Sequence, residues 1–172
     1  NYLSKFQMFA PPGISTESVK VRMGDFDKED LTEQASKPEV MGSAITEYKN
    51  HCEGQQAIIF SPSIIHSKRI ENEFNSHGIK ACHLDGKTDD TTRADIVKAF
   101  RAKEIKVLTN VDLFGEGFDV PGIHCVIDLS PTLSLGKYLQ RVGRGLRPDI
   151  GKDIATFLDH AGNVYRHGLP DQ

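Results

Sequence analysis

Short apolar runs rich in β-branched residues alternate with amphipathic stretches between residues 55 and 160. The apolar runs predict strands near 56–61, 80–84, 105–109, 124–128 and 153–158. The stretches between them predict helices near 64–77, 89–102 and 134–147. A regular alternation of strand and helix is typical of an open parallel sheet whose two faces are covered by helices. We therefore predict an α/β fold with a mainly parallel sheet and helices on both faces.

The first 54 residues follow a less regular pattern. They predict two extended segments and then two helices, at residues 2–10, 19–23, 27–34 and 40–51. Pro11-Pro12-Gly13 interrupts the extended part. We interpret residues 1–54 as an interdomain linker with a helical prelude, and residues 55–172 as the domain proper.

The last predicted helix carries the most distinctive chemistry. Its apolar residues fall on one stripe of an ideal helix, which we expect to pack on the core; they are Leu135, Tyr138, Leu139, Val142 and Leu146. Gln140, Arg144 and Arg147 lie near the opposite side, which we expect to be presented to a ligand. Gly143 and Gly145 each cost on the order of 1 kcal/mol relative to alanine inside a helix, so we expect a close approach to the backbone there. A guanidinium group suits phosphate oxygens, although arginines near a helix end are also favoured by the helix dipole.

Residues 140–147 read Q-R-V-G-R-G-L-R and resemble the Q-x-x-G-R-x-x-R motif of superfamily 2 helicases and translocases. That motif lies near the end of their second RecA-like domain, so the resemblance implies a three-layer RecA-like fold. It implies that Arg144 and Arg147 act as arginine fingers on the γ-phosphate of ATP and that Gln140 orients them or senses the nucleotide. Residues 155–163 are similar to the closing strand and turn in the DNA-repair and restriction-enzyme branch, which implies DNA as the nucleic acid.

A second match lies upstream, where residues 107–121 read V-L-T-N-V-D-L-F-G-E-G-F-D-V-P and resemble motif V of the same family. The resemblance implies contacts to ATP from the residues of the turn, namely Gly115, Glu116, Gly117 and Asp119. It implies contacts to the nucleic-acid strand from Thr109 and Asn110. Many members have threonine where Val111 stands here, so a hydroxyl or amide contact would have to come from those two neighbours.

The ends of two earlier strands supply the other candidate contacts. Residues 56–63 read Q-A-I-I-F-S-P-S and resemble motif IV, and residues 81–88 read A-C-H-L-D-G-K-T and resemble motif IVa. The resemblance implies nucleic-acid contacts from Ser61, Ser63, Gly86 and Lys87. Ligands of open parallel sheets bind beyond the carboxyl ends of the strands, which is where these residues are predicted to lie.

Gly86-Lys87-Thr88 also matches the tail of the G-x-x-x-x-G-K-[ST] phosphate loop, but the first glycine would have to stand where Ala81 does. We expect Thr88 instead to open the next helix as its N-cap. The sequence contains no complete phosphate loop and no D-E-x-H or D-E-x-D box, and phosphoryl transfer needs such groups. We therefore expect a C-terminal part of a larger protein, in which an N-terminal RecA-like domain of the same parent chain binds most of the ATP and its Mg²⁺.

Charge, cysteine content and hydropathy limit the kinds of ligand and location that the chain can have. The 21 Lys and Arg against 24 Asp and Glu argue against a generally basic nucleic-acid binder, so strand contacts should be local. Three cysteines without C-x-x-C spacing argue against a disulfide framework or a zinc site, and we predict no metal ligands. We find neither a membrane-spanning apolar run nor a signal-peptide pattern, and expect a cytoplasmic protein associated with nucleic acid.

We interpret the chain as the C-terminal motor domain of an ATP-dependent helicase or translocase, inactive as an ATPase on its own. Two alternatives remain: a nucleic-acid-binding or regulatory module that keeps the fold without catalysis, and a small-molecule enzyme on a doubly wound sheet. Arg144 and Arg147 argue against the first alternative. The absence of G-x-G-x-x-G after the first strand argues against the second.

Overall fold

The computed structural model describes residues 5–113, 123–145 and 154–170. The strands are β1 (Lys5–Phe9), β2 (Val21–Arg22), β3 (Asp25–Phe26), β4 (Ala57–Phe60), β5 (Ala81–His83), β6 (Val107–Asn110), β7 (Cys125–Asp128) and β8 (Ile154–Asp159). The helices are α1 (Lys28–Ala35), α2 (Pro38–Cys52), α3 (Ile64–Ser76), α4 (Asp90–Arg101), α5 (Leu135–Gly145) and α6 (Asn163–His167). Among the described residues, no helix combines the length and apolar character needed to cross a lipid bilayer.

Six strands form one parallel sheet in the order β1-β8-β7-β4-β6-β5, while β2 and β3 form a separate antiparallel hairpin. The predicted α/β class and parallel sheet are confirmed. The five predicted strands and three predicted helices of residues 55–160 all occur, with ends shifted by up to about two residues in the described part of the chain.

The core is divided by the sheet into two layers, because successive side chains of a strand point to opposite faces. Ala57 and Ile59 of β4 pack with α2 and α3 on one face. Ile58 and Phe60 pack with α4 and α5 on the other. The three-layer arrangement is thereby confirmed, and every residue of β4 is completely buried.

The N-terminal segment joins the same core. Strand β1 pairs with β8 residue by residue, from Lys5 opposite Ile154 to Phe9 opposite Leu158. Helix α2 buries Ala44, Ile45 and Tyr48 against the sheet. The two expected helices are present, and residues 5–9 of the expected extended segment form an edge strand that completes the sheet beside β8. The domain boundary at residue 54 stays a prediction.

The start of α4 differs from the prediction by one residue. We expected Thr88 to be the N-cap, but the carboxylate of Asp89 takes this role by accepting hydrogen bonds from the backbone N–H and the hydroxyl of Thr92, both at 2.8 Å. The Thr88 hydroxyl instead accepts from the Asp85 N–H at 3.0 Å and closes the preceding turn. A carboxylate is as good an N-cap as a hydroxyl and also interacts favourably with the helix dipole.

Candidate nucleotide and nucleic-acid site

The carboxyl edge of the sheet gathers polar residues in register. Asn110 at the end of β6 lies opposite Phe60, Phe60 lies opposite Asp128 of β7, and Asp128 lies opposite Asp159 of β8. All four residues are completely buried. The strand order changes direction near β4 and β7, and open parallel sheets bind ligands at such an edge.

Arg141 of α5 occupies the centre of this edge, although its side chain is only 1% exposed. Its Nη1 donates to the carboxylate of Asp128 at 3.3 Å and to the Ser130 carbonyl at 2.6 Å. Its guanidinium also lies over the Phe60 ring, 5.8 Å from the ring centroid. A buried cation is stable only when its charge and its hydrogen-bond donors are matched, and here the strand ends provide the partners.

Asp112 supplies the second carboxylate for Arg141. Its two oxygens accept from Nε at 2.9 Å and from Nη2 at 3.2 Å, which is the bidentate geometry that a guanidinium favours. Asp112 has a positive φ of 45°, which is unfavourable for most side chains and is tolerated best by Asn and Asp. The ion pair therefore links the segment resembling motif V directly to the helix that carries the Q-x-x-G-R-x-x-R match.

Asp128 is the most perturbed acid of the site. Burial raises its pKa to about 6, and the neighbouring Asp159 adds to this effect, while the charge of Arg141 opposes it. Its carboxylate also accepts from the Ser130 N–H at 3.0 Å and from Nδ2 of Asn163 at 2.8 Å. These bonds hold β7, α5 and α6 together behind the candidate site.

The buried stripe of α5 differs from the predicted one. It consists of Tyr138, Arg141, Val142 and Gly145, at the i, i+3, i+4, i+7 spacing of one helix face. Leu135 and Leu139 were expected in the core, but they are 50% and 43% exposed. The expectation was wrong because it excluded a charged residue from the core, whereas Asp112 and Asp128 make the inward position of Arg141 favourable.

Two of the predicted nucleotide-binding residues lie on α5 outside its buried stripe. Gln140 and Gly143 are exposed, and Arg144 is partly buried. Burial lowers the pKa of the Arg144 guanidinium, which still remains charged at neutral pH. Arg147 lies outside the described residues, as do Gly115, Glu116, Gly117 and Asp119 of the predicted ATP-side turn.

The two glycines of α5 have different surroundings. A Cβ on Gly145 would lie 2.9 Å from Cγ2 of Val126, so α5 packs closely on β7 because residue 145 lacks a side chain. A Cβ on Gly143 would have no neighbour within 4 Å. The expected close approach is therefore found at Gly145, where the protein's own strand makes it, and the surface at Gly143 is open.

Several predicted strand contacts have their polar groups engaged inside the protein. The Thr109 hydroxyl donates to the Ser67 carbonyl at 3.1 Å, and Nδ2 of Asn110 donates to the Ile59 carbonyl at 2.9 Å. Both Thr109 and Asn110 are completely buried. Their predicted contacts with a strand remain untested, and the structure gives both side chains a part in joining strand ends.

The other candidates divide into capping and surface residues. Ser63 caps α3 by accepting from the His66 N–H at 3.2 Å, and its hydroxyl lies 2.5 Å from that of Thr32. The Ser61 hydroxyl is buried without a hydrogen-bond partner in the described part of the chain. Gly86 and Lys87 are exposed on the loop after β5. Of the six predicted strand contacts, these two are exposed, Ser63 is partly exposed, and the other three are buried.

A cavity of about 550 Å³ opens at the same edge of the sheet. It is lined by the β2–β3 hairpin and by residues that follow β4, β6 and β7, among them Pro62, Val111, Ser130 and Thr132. The hairpin is held here by Asp25, whose carboxylate accepts from the Thr132 hydroxyl at 2.7 Å and from the Leu133 N–H at 2.9 Å. The sequence pattern predicted an extended segment at 19–23, but it contained no signal that this segment contacts the sheet edge.

No group of three or more His, Cys, Asp or Glu residues within 5–113, 123–145 and 154–170 has the arrangement of a metal site. Asp112 and Asp128 accept hydrogen bonds from Arg141, and Asp159 accepts from the backbone N–H groups of Ala161 and Val164. None of these acids was predicted as a site residue. In the sequence, Asp128 and Asp159 are recognisable only as acids that end a buried apolar strand, and this position does not reveal their partners.

The family model described as "Helicase conserved C-terminal domain" matches residues 36–149. The chain belongs to this family. The resemblance to the second RecA-like domain of superfamily 2 helicases is thereby confirmed, and the matched range includes α5 with Arg141 and Arg144 and the loop with Gly86 and Lys87.

Relatives of this helicase C-terminal domain are longer proteins. A 51.5 kDa protein of a Lactococcus phage is 37% identical over 169 residues, which cover 98% of this chain and 37% of that protein. The putative mitochondrial ATP-dependent helicase irc3 of Schizosaccharomyces pombe is 31% identical over 157 residues, covering 90% of this chain and 26% of that protein. The chain thus spans about a third of the length of these relatives.

Two solved structures show the same fold. The Escherichia coli DEAD-box protein SrmB, bound to regulator of ribonuclease activity A, superposes with a TM-score of 0.62 at 20% identity, covering 91% of this chain and 78% of that one. The ATP-dependent type ISP restriction-modification enzyme LlaBIII, bound to DNA, also has a TM-score of 0.62 at 20% identity, covering 91% of this chain and 12% of that one. At this level of identity the likeness establishes the helicase C-terminal fold alone.

Proposed function

We propose that this chain is the C-terminal motor domain of an ATP-dependent helicase or translocase that acts on DNA. The observation that carries the proposal is the orientation of α5. Its inward side is fixed by the ion pairs of Arg141, while Gln140 is exposed and Arg144 is only partly buried. A guanidinium held on a rigid helix is well placed to meet a phosphate group that another domain delivers.

In the proposed mechanism, Arg144 and Arg147 stabilise the negative charge that develops on the γ-phosphate during transfer to water, and Gln140 orients them. Partial burial of Arg144 strengthens its electrostatic interaction with phosphate, because the effective dielectric constant is lower there than in water. Gly115, Glu116, Gly117 and Asp119 would contact the ribose and phosphates. The phosphate cradle and the ligands of Mg²⁺ would come from an N-terminal RecA-like domain of the same parent chain.

The Arg141–Asp112 ion pair offers a physical route from ATP to the nucleic acid. It joins the helix of the proposed finger Arg144 to the end of β6, beside Thr109 and Asn110. Closure of two domains around ATP and reopening after hydrolysis would alternate the grip on a strand. The proposed site of action is the cytoplasm, in association with nucleic acid.

The choice of DNA over RNA belongs to the proposal as well. It is supported by the resemblance of residues 155–163 to the restriction and DNA-repair branch and by the fold shared with a restriction enzyme bound to DNA. RNA helicases also occur among the relatives, for example DEAD-box ATP-dependent RNA helicase 28 of Arabidopsis thaliana at 30% identity over 149 residues. The nucleic acid that stimulates ATP hydrolysis therefore decides this part of the proposal.

The test is a steady-state ATPase assay on the parent protein with single-stranded DNA, double-stranded DNA and RNA of matched length. We expect DNA to stimulate turnover more than RNA does, and we expect the 172-residue chain alone to hydrolyse no ATP above background. Stimulation by RNA alone would contradict the DNA assignment. A parent protein without ATPase activity under all three conditions would favour the regulatory module instead.

A further inference from the structure

A chain of short hydrogen bonds connects α3, β5 and β6 below the loop that carries Gly86 and Lys87. The Ser67 hydroxyl lies 2.9 Å from the Thr109 hydroxyl and 2.6 Å from Nδ1 of His83. On the other side of the ring, Nε2 of His83 lies 2.6 Å from a carboxylate oxygen of Asp85. The side chains of His83 and Asp85 are only 8% and 11% exposed.

The hydroxyl groups of this network are satisfied inside the protein. The Thr109 hydroxyl donates to the Ser67 carbonyl and accepts from the Ser67 hydroxyl. The Ser67 hydroxyl oxygen also contacts Nδ1 of His83. Burial favours the neutral carboxyl of Asp85, but hydrogen bonds from His83 and the Lys87 N–H outweigh it and lower the pKa of Asp85. The His83 ring therefore connects the Ser67 hydroxyl to the carboxylate of Asp85.

Ser67, His83 and Asp85 are the residue types of a hydrolytic triad, but this arrangement is not a nucleophilic site. Ser67 is completely buried on α3, and its hydroxyl proton is committed to Thr109 rather than to the imidazole. A nucleophilic serine must reach its substrate and give its proton to a base. The hydrogen bonds therefore have a structural role, in which they hold α3, β5 and β6 together.

Asp85 joins this hydrogen-bond network to the loop that carries Gly86 and Lys87. Its second carboxylate oxygen accepts from the Lys87 N–H at 2.6 Å, and its own N–H donates to the Thr88 hydroxyl at 3.0 Å. Its carbonyl oxygen accepts from Nη2 of Arg93 on α4 at 3.1 Å. With four groups engaged, Asp85 fixes the base of the loop, and Gly86 and Lys87 remain exposed at its tip.

We propose that His83 is a positioning residue for nucleic-acid binding, because its ring connects Ser67 to Asp85 and thereby holds the Gly86–Lys87 tip in the conformation that meets a phosphate backbone. This inference rests on the proposed function, since it assigns a supporting residue to one of the proposed strand contacts. Glu71 of α3 fixes the main chain at the same position, because its carboxylate accepts from the backbone N–H of His83 at 2.7 Å.

The test is a double-mutant cycle on binding of a fluorescently labelled single-stranded oligonucleotide by the intact protein. We expect Lys87→Gln to weaken binding and to reduce the salt dependence by the equivalent of about one phosphate contact. We expect His83→Gln to weaken binding by about fivefold or more, and the double variant to be no weaker than the stronger single variant, because His83 acts through the tip. His77→Gln, an exposed histidine after α3, is the matched control and should bind as the unmodified protein does.

Ser67→Ala gives a second route if His83→Gln folds poorly, because it keeps the ring of His83 and removes the hydroxyl that the ring and Thr109 contact. Circular dichroism checks the fold of each variant. Additive losses, or unchanged binding by folded His83→Gln and Ser67→Ala, would overturn the positioning role while leaving the proposed function intact. Absence of nucleic-acid binding by the unmodified protein would overturn both proposals.

Discussion

Two arginines of α5 lie in different environments. Arg141 faces the core, is 1% exposed, and bonds to Asp112 and Asp128, whereas Arg144, three residues later, is partly buried. Two arginines of one helix can therefore differ in role. Arg141 is a structural cation that joins strand ends, and Arg144 is the arginine that we propose for the γ-phosphate.

The largest expected effect is the loss of ATP turnover when Arg144 is replaced. Arg144→Ala in the parent protein should lower kcat by roughly 10³-fold or more, because the charge on the γ-phosphate loses a stabilising partner in the transition state. The affinity for ATP and the unfolding free energy should change far less. The measurement is nucleic-acid-stimulated ATPase activity together with a thermal melt. Near-normal turnover would mean that Arg144 only complements the helix end.

Replacing the buried Arg141 should reduce stability, whereas replacing Arg144 should reduce turnover. Arg141→Met should lower the unfolding free energy by about 3–5 kcal/mol, because it leaves Asp128 buried without its cation. Urea denaturation of the 172-residue chain measures this loss. The double variant Arg141→Met with Asp128→Asn is the control and should recover part of it, since the buried negative charge is then also removed. A loss below about 1 kcal/mol in the single variant would contradict the structural role of Arg141.

Gly145 and Gly143 of α5 also lie in different environments, and adding one methyl group to each should affect stability differently. Gly145→Ala should destabilise the domain by about 1–3 kcal/mol, because its Cβ would clash with the fully buried Val126. Gly143→Ala should leave stability unchanged or raise it by up to about 1 kcal/mol, because its Cβ meets open space and alanine favours a helix. Thermal denaturation of both variants measures the difference. Equal effects would show that α5 does not pack on β7 as described.

The smallest expected effect is a pH dependence of stability caused by His66, a buried histidine that, unlike Arg141, has no acidic partner. Burial lowers the pKa of His66 to about 4, although Nε2 donates to the Ala35 carbonyl at 2.9 Å. The unfolded chain, with a histidine pKa near 6.5, binds the proton more tightly, so stability falls as the pH drops from about 6.5 towards 4. Between pH 7 and 5.5 the unmodified chain should lose about 1 kcal/mol more than His66→Gln does. Parallel pH profiles in urea denaturation would disprove a neutral, buried His66.

Sequence patterns predicted the elements of residues 55–160 well, because buried parallel strands are short apolar runs and their helices have an apolar face. Patterns were less informative where a residue's role depends on a distant partner. Leu135 and Leu139 were placed in the core because the helix was phased on apolar residues alone. The actual phase is set by Arg141, whose partners lie 13 and 29 residues earlier in the chain.

The candidate strand contacts show the same division. Thr109 and Asn110 stand where the family motif implies a contact, yet tertiary packing directs both side chains to neighbouring elements. Gly86 and Lys87 are exposed as expected, because a polar turn after a strand lies at the surface whatever its neighbours are. The position of β1 beside β8 was not predictable from a five-residue segment, since strand pairing depends on the edge that the rest of the sheet leaves open.

The sequence by itself determined the α/β class, the order of strands and helices, and the helicase family, because these depend on local periodicity and on short motifs with fixed spacing. The tertiary structure alone decided that Arg141 is buried, that Asp112 and Asp128 are its partners, and that His83 connects Ser67 to Asp85. Each of these arrangements joins residues from different elements whose side chains meet only after the sheet has formed. A hydrogen bond or ion pair between residues far apart in the chain produces no repeating sequence pattern, so these partners can be identified only in the folded domain.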